Sequence, residues 1–198
     1  MIDFDDDIIL EDERVLLRPL QQSDLIHLKT FALNEPETWT YSLALPDSEV
    51  KMRNYISKAL DAREAEEAYP FIVFDKLKNT HAGSTRFYDI NWHHKSYSLG
   101  YTWYGQDFRG TGLNTHCKYL QLKYAFEDWH LERVEFRADN RNSRSIKAMK
   151  NLGATAEGVL RSNCSAPNGR RDSIVLSILK SEWFESVKPL LLNRLKAE

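Results

Sequence analysis

The sequence predicts a mixed α/β domain (α+β), in which about seven strands form one sheet with flanking helices. Two observations support this class. Apolar residues change repeatedly between strand spacing and helical spacing, and no internal repeat, low-complexity tract or Pro/Gly-rich linker interrupts the chain. Three strand candidates follow one another in the first half, whereas helices separate strands in the second half, where we expect parallel pairing. Residues 1–198 are therefore predicted to form a single domain.

The first half is predicted to contain one strand, two helices and an antiparallel meander. Residues 14–20 have a strand-like composition, and Ser23 is expected to cap the first helix. A second helix is expected at about residues 49–65, where apolar residues keep helical spacing. The three strands of the meander are expected at residues 70–75, 82–90 and 97–104, with polar breaks between them.

The second half alternates between helical and strand spacing. A helix is expected from Leu113, and a short helix at 143–153 is expected to be closed by Gly153. Two strands are expected to be joined around Asn168-Gly169, a strong turn signal. Ser181 is expected to cap a last helix, which Pro189 should kink or end. The strands of this half are expected at residues 133–138, 155–163 and 172–179.

Composition argues against several classes of protein. A net charge of −2 gives no reason to expect nucleic acid or an anionic membrane as a partner, and no apolar run approaches the roughly 18 residues of a membrane span. The first residues lack the basic region and cleavage site of a signal peptide, so we expect a cytoplasmic protein. Cys117 and Cys164 have no metal-ligand spacing, which predicts reduced thiols.

Acidic residues are crowded within the first 13 positions. Such a segment either attracts a cationic partner or is simply a solvated terminus. We expect residues 1–13 to be solvated and partly frayed, since charge runs at chain ends usually are.

The segment GQDFRGTGLNTHCKYL, residues 105–120, places glycines directly before a run with helical spacing. A nucleotide-triphosphate loop is disfavoured because Thr111 stands where that motif requires lysine. A dinucleotide loop is disfavoured because Thr115 replaces the last glycine of its motif. Gly110 and Gly112 would still let the backbone approach an anion at the helix start, and Arg109 would add charge. The alternative is a tight strand-to-helix turn that binds nothing.

This segment resembles the acetyl-CoA loop of the GNAT acyltransferases. The family motif [RQ]-x-x-G-x-[GA] aligns on Asp107, Gly110 and Gly112, with Asp107 in place of Arg or Gln. The closing strands and the opening VLLRPLQQSDL are similar to the ribosomal-protein N-terminal acetyltransferase (Rim-type) branch, so the resemblance predicts the GNAT fold over almost the whole chain. The family pattern N-x-x-S…A-x-x-x-L-G-F is matched by Asn140, Ser143, Ala148, Leu152 and Gly153, with Ala154 in the last position.

The resemblance implies direct transfer of an acetyl group from acetyl-CoA to an amine, without a covalent enzyme intermediate and without a metal. Trp103 and Tyr104 would flank the pantetheine arm along a strand edge that a β-bulge opens. Asn140 would bond this arm, Ser143 would protonate or position the departing thiolate, and Lys150 would meet the adenosine phosphates. Helix capping is the alternative for Asn140 and Ser143, and plain solvation for Lys150. The pyrophosphate would be held by backbone N–H groups of Arg109, Gly110, Thr111, Gly112, Leu113 and Asn114.

The sequence leaves the base, the acceptor and the oligomeric state open. The acceptor implied is a protein N-terminal α-amine or a small-molecule amine such as a polyamine or amino sugar, bound by residues 34–50 and 162–171. A non-catalytic acyl-CoA-binding module is the alternative function, and the protein is expected to be a monomer or homodimer. Direct proton loss to water is an alternative to a general base. The candidate bases are Glu35, Tyr88, Asp89, Glu157 and Asp172.

Overall fold

Residues 4–196 are described by a computed structural model, and their strands form one sheet. The eight strands found there are β1 (Leu10–Glu11), β2 (Val15–Pro19), β3 (Ala68–Asp75), β4 (Thr80–Asn91), β5 (Ser96–Tyr104), β6 (Arg133–Asp139), β7 (Thr155–Ala166) and β8 (Gly169–Leu179). Their order across the sheet is β1-β2-β3-β4-β5-β6-β8-β7. The mixed α/β prediction is confirmed, and the strand that the sequence did not reveal is the two-residue β1.

The helices lie on both faces of this sheet. They are α1 (Leu25–Asn34), α2 (Glu49–Glu64), α3 (Leu113–Lys123), α4 (Ser143–Asn151), the single turn α5 (Lys180–Glu182) and α6 (Lys188–Leu195). A π-helical turn, Tyr124–Asp128, extends α3, and another, Trp183–Val187, joins α5 to α6. Within residues 4–196, no helix has the length and apolar character needed to cross a membrane.

Each face of the sheet has its own apolar core. The larger core contains side chains of α3, α4 and α6, and the smaller one contains side chains of α1 and α2. β3 is buried along nearly its whole length because both of its faces are covered. Phe71 and Val73 point into the larger core, and Ile72 between them points into the smaller one. This two-sided burial holds the middle of the sheet rigidly against helices on both sides.

The sheet opens between β5 and β6. β1 to β5 pair in antiparallel order, which confirms the predicted meander. β5 and β6 are parallel but pair only between Ser96–Ser98 and Arg133–Glu135. The β4–β5 register shifts between Ser84 and Arg86, and Tyr101 at this bulge has a φ of +50°. Because a bulge bends its strand, the second half of β5 separates from β6 and leaves a V-shaped gap.

Parallel pairing is less extensive than the sequence predicts. α3 provides the crossover between β5 and β6, and theirs is the one parallel pair in the described sheet. β6 lies beside β8 and not beside β7, and both the β6–β8 and β7–β8 pairs are antiparallel. The helix α4 therefore leads into an edge strand instead of a parallel neighbour.

The acidic N-terminal segment is packed from Phe4 onward, which differs from the expected frayed terminus. Phe4, Ile8 and Leu10 are buried in the larger core. The Tyr69 hydroxyl donates to the backbone carbonyl of Asp6 (2.6 Å) and accepts from the N–H of Ile8 (2.9 Å). The acidic side chains conceal this apolar pattern, which is why the charge run alone was misleading. Residues 1–3, and residues 197–198 at the other end, lie outside the described part of the chain.

Both serine caps predicted from the sequence are wrong. Ser23 lies inside a 3₁₀ turn, where the Asp24 carboxylate accepts from the backbone N–H of the capping residue at 2.8 Å. Ser181 lies inside α5, where the Glu182 carboxylate does the same at 2.8 Å. The capping residue in each place lies two positions before the serine, at Gln21 and at Leu179.

Three other local predictions have clear outcomes. Gly153 ends α4 with a φ of +99°, as predicted. β7 and β8 form a hairpin with Gly169 at a φ of +111°, also as predicted. Pro189 does not end the last helix, because it lies in the first turn of α6, where a missing N–H is harmless.

Gly83 on β4 is a position where a side chain is expected to be costly. A Cβ atom there would lie 2.0 Å from the backbone carbonyl oxygen of Trp103 on β5. Since that backbone is held in the sheet, we expect Gly83→Ala to lower the free energy of unfolding by about 3 kcal/mol. Gly158→Ala on β7 is the matched control, with no atom within 4 Å of its Cβ and an expected change within about 0.5 kcal/mol. Urea unfolding compares the two, and equal effects would contradict the packing at Gly83.

Candidate active site

The gap between β5 and β6 opens into a cleft of about 910 Å³. Its walls are residues 37–43 before α2, the second half of β5, the start of α3, the first turns of α4, and parts of β6 and β8. A cleft of this size is typical of a site for a small molecule or cofactor. It lies at the point where the connection between neighbouring strands changes, which is where ligands bind in open α/β sheets.

The glycine loop forms one end of this cleft. Gly110 and Gly112 have φ angles of +73° and +82°, the left-handed backbone that favours glycine. Gly112 is the N-cap residue of α3, and no side chain in the described part of the chain caps that helix. In the first turn, the N–H of Thr115 donates to the carbonyl of Gly112 (2.7 Å), and those of Leu113 and Asn114, together with the helix dipole, make a site for an anion.

Arg109 and Arg144 add positive charge beside the loop, and both line the cleft. Arg109 is held in place because it donates to the backbone carbonyl of Tyr104 (3.0 Å) and to the hydroxyl of Thr38. Burial and the neighbouring charge of Arg144 lower the pKa of Arg109. Glu35, at 3.9 Å, offsets part of that charge. Two guanidinium groups placed this close together are stabilised further when an anion binds between them.

The structure brings most of the predicted site residues to the cleft. Those that line it are Trp103, Tyr104, Arg109, Gly110, Gly112, Asn114 and Ser143. The others lie elsewhere: the Thr111 hydroxyl donates to the carbonyl of Phe108 (2.8 Å), Leu113 is buried in the larger core, and Asn140 and Lys150 are exposed. The roles predicted for Thr111 and Leu113 concern their backbone N–H groups, so the positions of their side chains leave those predictions open.

Trp103 and Tyr104 anchor the open half of β5 to opposite faces of the sheet. The Trp103 indole lies in the smaller core, 4.7 Å from the Trp39 ring between centroids, and its N–H donates to the Tyr55 hydroxyl (3.3 Å). The Tyr104 ring is buried in the larger core. With both side chains fixed, the backbone of β5 presents its unpaired edge to the cleft.

At the start of α4 the capping residue is Asn142. The Asn142 side chain accepts from the backbone N–H of Ser145 (3.0 Å), so neither Asn140 nor Ser143 is the cap. The Asn140 backbone N–H donates to the carbonyl of Asp172 (3.0 Å). Ser143 is the first residue of α4, is exposed, and has no side-chain hydrogen bond within residues 4–196. Its hydroxyl can therefore donate into the cleft.

Lys118 is a buried ionisable residue of the cleft that the sequence analysis missed. It is 5% exposed, and its Nζ donates to the hydroxyls of Thr102 (2.9 Å) and Thr85 (3.2 Å) and to the side-chain oxygen of Gln121 (3.0 Å). No carboxylate of the described residues forms an ion pair with it, and burial lowers its pKa to about 7. Lys118 and Gln121 lie one turn apart on α3. A polar pair with this spacing on a buried helix face is the sequence signal that could have revealed Lys118.

Few of the candidate general bases remain available to accept a proton from the amine. Tyr88 and Asp89 line the cleft, but burial raises the pKa of Tyr88 to about 12, so its hydroxyl stays protonated at neutral pH. A hydrogen-bonded arginine of β6 lowers the pKa of Glu157 to about 2. Glu35 and Asp172 each accept from a backbone N–H, at 2.8 and 2.6 Å. Asp89 is the exposed carboxylate left facing the cleft.

Two clusters of histidine and carboxylate lie outside the cleft. In the first, His27 and His81 stack with centroids 3.9 Å apart beside Asp24, and burial followed by the charge of His27 lowers the pKa of His81 to about 4. Arg18 already binds both oxygens of Asp24, at 2.6 and 2.9 Å. The second cluster contains Asp12, Glu13 and His116. Sequence spacing could not reveal either group, because each combines distant segments. The absence of a metal in the reaction stays a prediction.

A sheet whose strands part beside a glycine loop and an uncapped helix start defines the acyl-CoA N-acyltransferase class of fold. A model of the acetyltransferase (GNAT) domain matches residues 14–155, so the chain belongs to the GNAT acetyltransferase family. It is similar to an uncharacterized N-acetyltransferase, p20, of Bacillus licheniformis, with 26% identity over 172 residues, which are 86% of this chain and 96% of that protein.

Solved structures show the same fold. A GCN5-related N-acetyltransferase from Brucella melitensis is 22% identical with a TM-score of 0.86, over 93% of this chain and 84% of that one. The ribosomal-protein-S5-alanine acetyltransferase from Vibrio fischeri is 19% identical with a TM-score of 0.72, over 89% of this chain and 99% of that one. At these identities the two structures show the fold alone.

Proposed function

We propose that this chain, folded as one domain, transfers the acetyl group of acetyl-CoA directly to a primary amine. The observation that carries the proposal is a single cleft that joins an anion site at the start of α3 to the open edge of β5. Membership of the family supports acyl transfer to an amine. A protein N-terminal α-amine is the first acceptor to test, because the Rim-type resemblance implies it and one protein of the same fold is named a ribosomal-protein-S5-alanine acetyltransferase.

On the cofactor side, the backbone N–H groups of residues 109–114 would hold the pyrophosphate, with Arg109 and Arg144 adding charge. The unpaired edge of β5 would give the pantetheine arm backbone partners. Ser143 would supply a proton to the departing thiolate, and its place in the first turn of α4 puts that thiolate near the positive end of a helix. These groups orient the thioester and stabilise the leaving group.

On the acceptor side, the attacking amine must be neutral. Asp89 is the carboxylate available to take its proton, and water is the alternative. Positive charge close to the amine would favour its neutral form by lowering the pKa of the ammonium ion. The arginines of β6 and β8 that line the cleft would have this effect.

Ser143→Ala is expected to reduce kcat at least about 10-fold, since general acid catalysis typically contributes 10² to 10⁴ and water replaces part of it. The dissociation constant for acetyl-CoA should stay within about twofold, because the hydroxyl contacts the leaving group and not the phosphates. Steady-state kinetics and calorimetric titration measure these two quantities. An unchanged kcat would remove Ser143 from the mechanism.

Thiol release tests the proposed function. The protein is mixed with acetyl-CoA and peptides that have either a free or an already acetylated N-terminus, and product mass is read in parallel. We expect thiol release, and a product about 42 Da heavier than the peptide, only with the peptides whose N-terminus is free. Acetyl-CoA binding without thiol release from any amine would instead identify a non-catalytic acyl-CoA-binding module.

A further inference from the structure

One face of the sheet combines arginines with tyrosines. We call it the acceptor face, because it carries α1, α2 and the wall of the cleft opposite α3. Side chains alternate between the two faces along a strand. Phe87 lies in the larger core, so its neighbour Arg86 lies on the acceptor face. In the same way, Phe136 lies in the larger core and Arg137 lies on the acceptor face. The residues that line or back this face are Tyr55, Arg86, Tyr88, Tyr101, Arg137 and Arg171.

Arg86 and Arg171 are buried on this face, and Asp139, the carboxylate on which the charge of Arg171 acts, is already bound by Arg141. They are 6% and 7% exposed, and neither forms an ion pair with a residue in the described part of the chain. The Arg86 guanidinium stacks on the Tyr101 ring, 4.1 Å from its centroid, and its buried Nε has no hydrogen-bond partner. Arg171 lines the cleft and donates from Nε to the Ser173 hydroxyl (2.9 Å), which leaves its terminal nitrogens available.

The other arginines nearby are neutralised. Arg137 donates to Glu135 at 2.6 Å, and Arg141 binds both oxygens of Asp139 at 2.8 and 2.9 Å. Glu135 and Asp139 are therefore already bound by other arginines, whereas Asp89 is exposed and lies 3.9 Å from Arg137. Both Arg86 and Arg171 act on the Tyr101 hydroxyl, and their charges partly offset the rise that burial causes in its pKa. Arg86 thus stacks on Tyr101, and the charges of Arg171 and Asp89 act on the same hydroxyl from farther away.

A buried cation whose neighbouring carboxylate is already bound by another arginine is unfavourable, and a ligand that supplies an anion offsets that cost. We propose that the amine acceptor carries a carboxylate, which Arg171 binds while Arg86 adds charge behind Tyr101. This inference rests on the proposed acetyl transfer and names its substrate class. The two terminal nitrogens of Arg171 match the two oxygens of a carboxylate. Polyamines and other polycationic acceptors would be repelled by the same face.

Matched acceptors test the proposal with the complete protein. One pair is alanine and alaninamide, which differ in a free carboxylate. The other is an amidated peptide beginning Ala-Glu and its Ala-Gln counterpart, which places the carboxylate on a side chain. We expect kcat/KM to be at least 10-fold higher for the carboxylate member in one of the pairs, and the pair that shows it identifies the source. Equal or faster turnover of the neutral member in both pairs would overturn the proposal.

Arg171→Gln is expected to reduce that preference to within about twofold, because the carboxylate member then loses its charged partner while the neutral member has none to lose. Arg171→Lys should restore part of the preference. Arg161→Gln, an exposed arginine on β7, is the control for loss of a positive charge. Stabilisation by acetyl-CoA in every variant verifies that the cleft is folded.

The two proposals fail in different ways. Thiol release without a carboxylate preference, or a preference that survives in Arg171→Gln, would overturn the substrate class and leave acetyl transfer standing. Absence of thiol release from all four acceptors and from unrelated amines would overturn both.

Discussion

Gly112→Asp is expected to weaken acetyl-CoA binding at least about 100-fold, or about 2.7 kcal/mol. Gly112 caps α3 with a φ of +82°, in a loop whose first-turn N–H groups have no side-chain partner among the described residues. An aspartate there would accept from those N–H groups and repel the pyrophosphate. Aspartate also tolerates the left-handed backbone better than most residues, so the fold should survive.

Gly112→Asn is the matched control for this change. It has nearly the same shape and the same tolerance of left-handed backbone, but no charge. We expect it to bind acetyl-CoA at least 10-fold more tightly than Gly112→Asp in calorimetric titration, because the charge supplies the larger part of the loss. Wild-type affinity in Gly112→Asp would show that the phosphates bind elsewhere.

Lys118→Met is expected to change how stability depends on pH. Burial lowers the pKa of Lys118 from 10.5 to about 7, so between these values the unfolded chain holds a proton that the folded chain lacks. The stability of the wild type therefore gains from this group as pH rises from about 7 to 10.5, by up to about 1.4 kcal/mol per pH unit. Methionine cannot titrate, so this gain is lost in the variant.

The difference in unfolding free energy between wild type and Lys118→Met should thus move in favour of the wild type by about 2 kcal/mol from pH 7.5 to 9.5. Urea unfolding at three pH values measures it. The hydrogen bonds to Thr85, Thr102 and Gln121 also contribute to the difference in unfolding free energy between the two proteins. Their contribution does not create the dependence of that difference on pH. Lys58→Met, an exposed lysine on α2, controls for the loss of one positive charge. Parallel pH profiles for wild type and Lys118→Met would contradict the burial of an unpaired lysine.

Much of the fold can be predicted from the sequence because its signals are local. Periodicity located the helices and the longer strands, and the motifs at Gly110–Gly112 and Asn140–Gly153 indicated the family. Local patterns could not show that β6 pairs with β8, because strand order depends on packing between distant segments. The same limit hid β1, whose one apolar residue, Leu10, is followed by three acidic residues.

The same difference between local and distant signals decides which parts of the candidate site could be predicted. The loop residues were predictable because one continuous segment supplies the glycines and the helix start. The burial of Lys118 was not, because it depends on hydroxyls contributed by β4 and β5. Arg86 and Arg171 lie on the same face of the sheet only because of the order of the strands, so no spacing in the sequence connects them. The roles of Asn140, Ser143 and Lys150 stay predictions.

The melting temperature with and without acetyl-CoA is the most direct test of whether this cleft is an acetyl-CoA site. At 100 times its dissociation constant, a ligand stabilises the folded state by about 2.7 kcal/mol, which for a domain of this size raises the melting temperature by roughly 5–10 °C. We expect that shift with acetyl-CoA and none with ATP or NAD, because Thr111 and Thr115 replace the residues that those ligands require. No shift at millimolar acetyl-CoA would mean that the glycine loop is a turn without a ligand, and acetyl transfer would be contradicted.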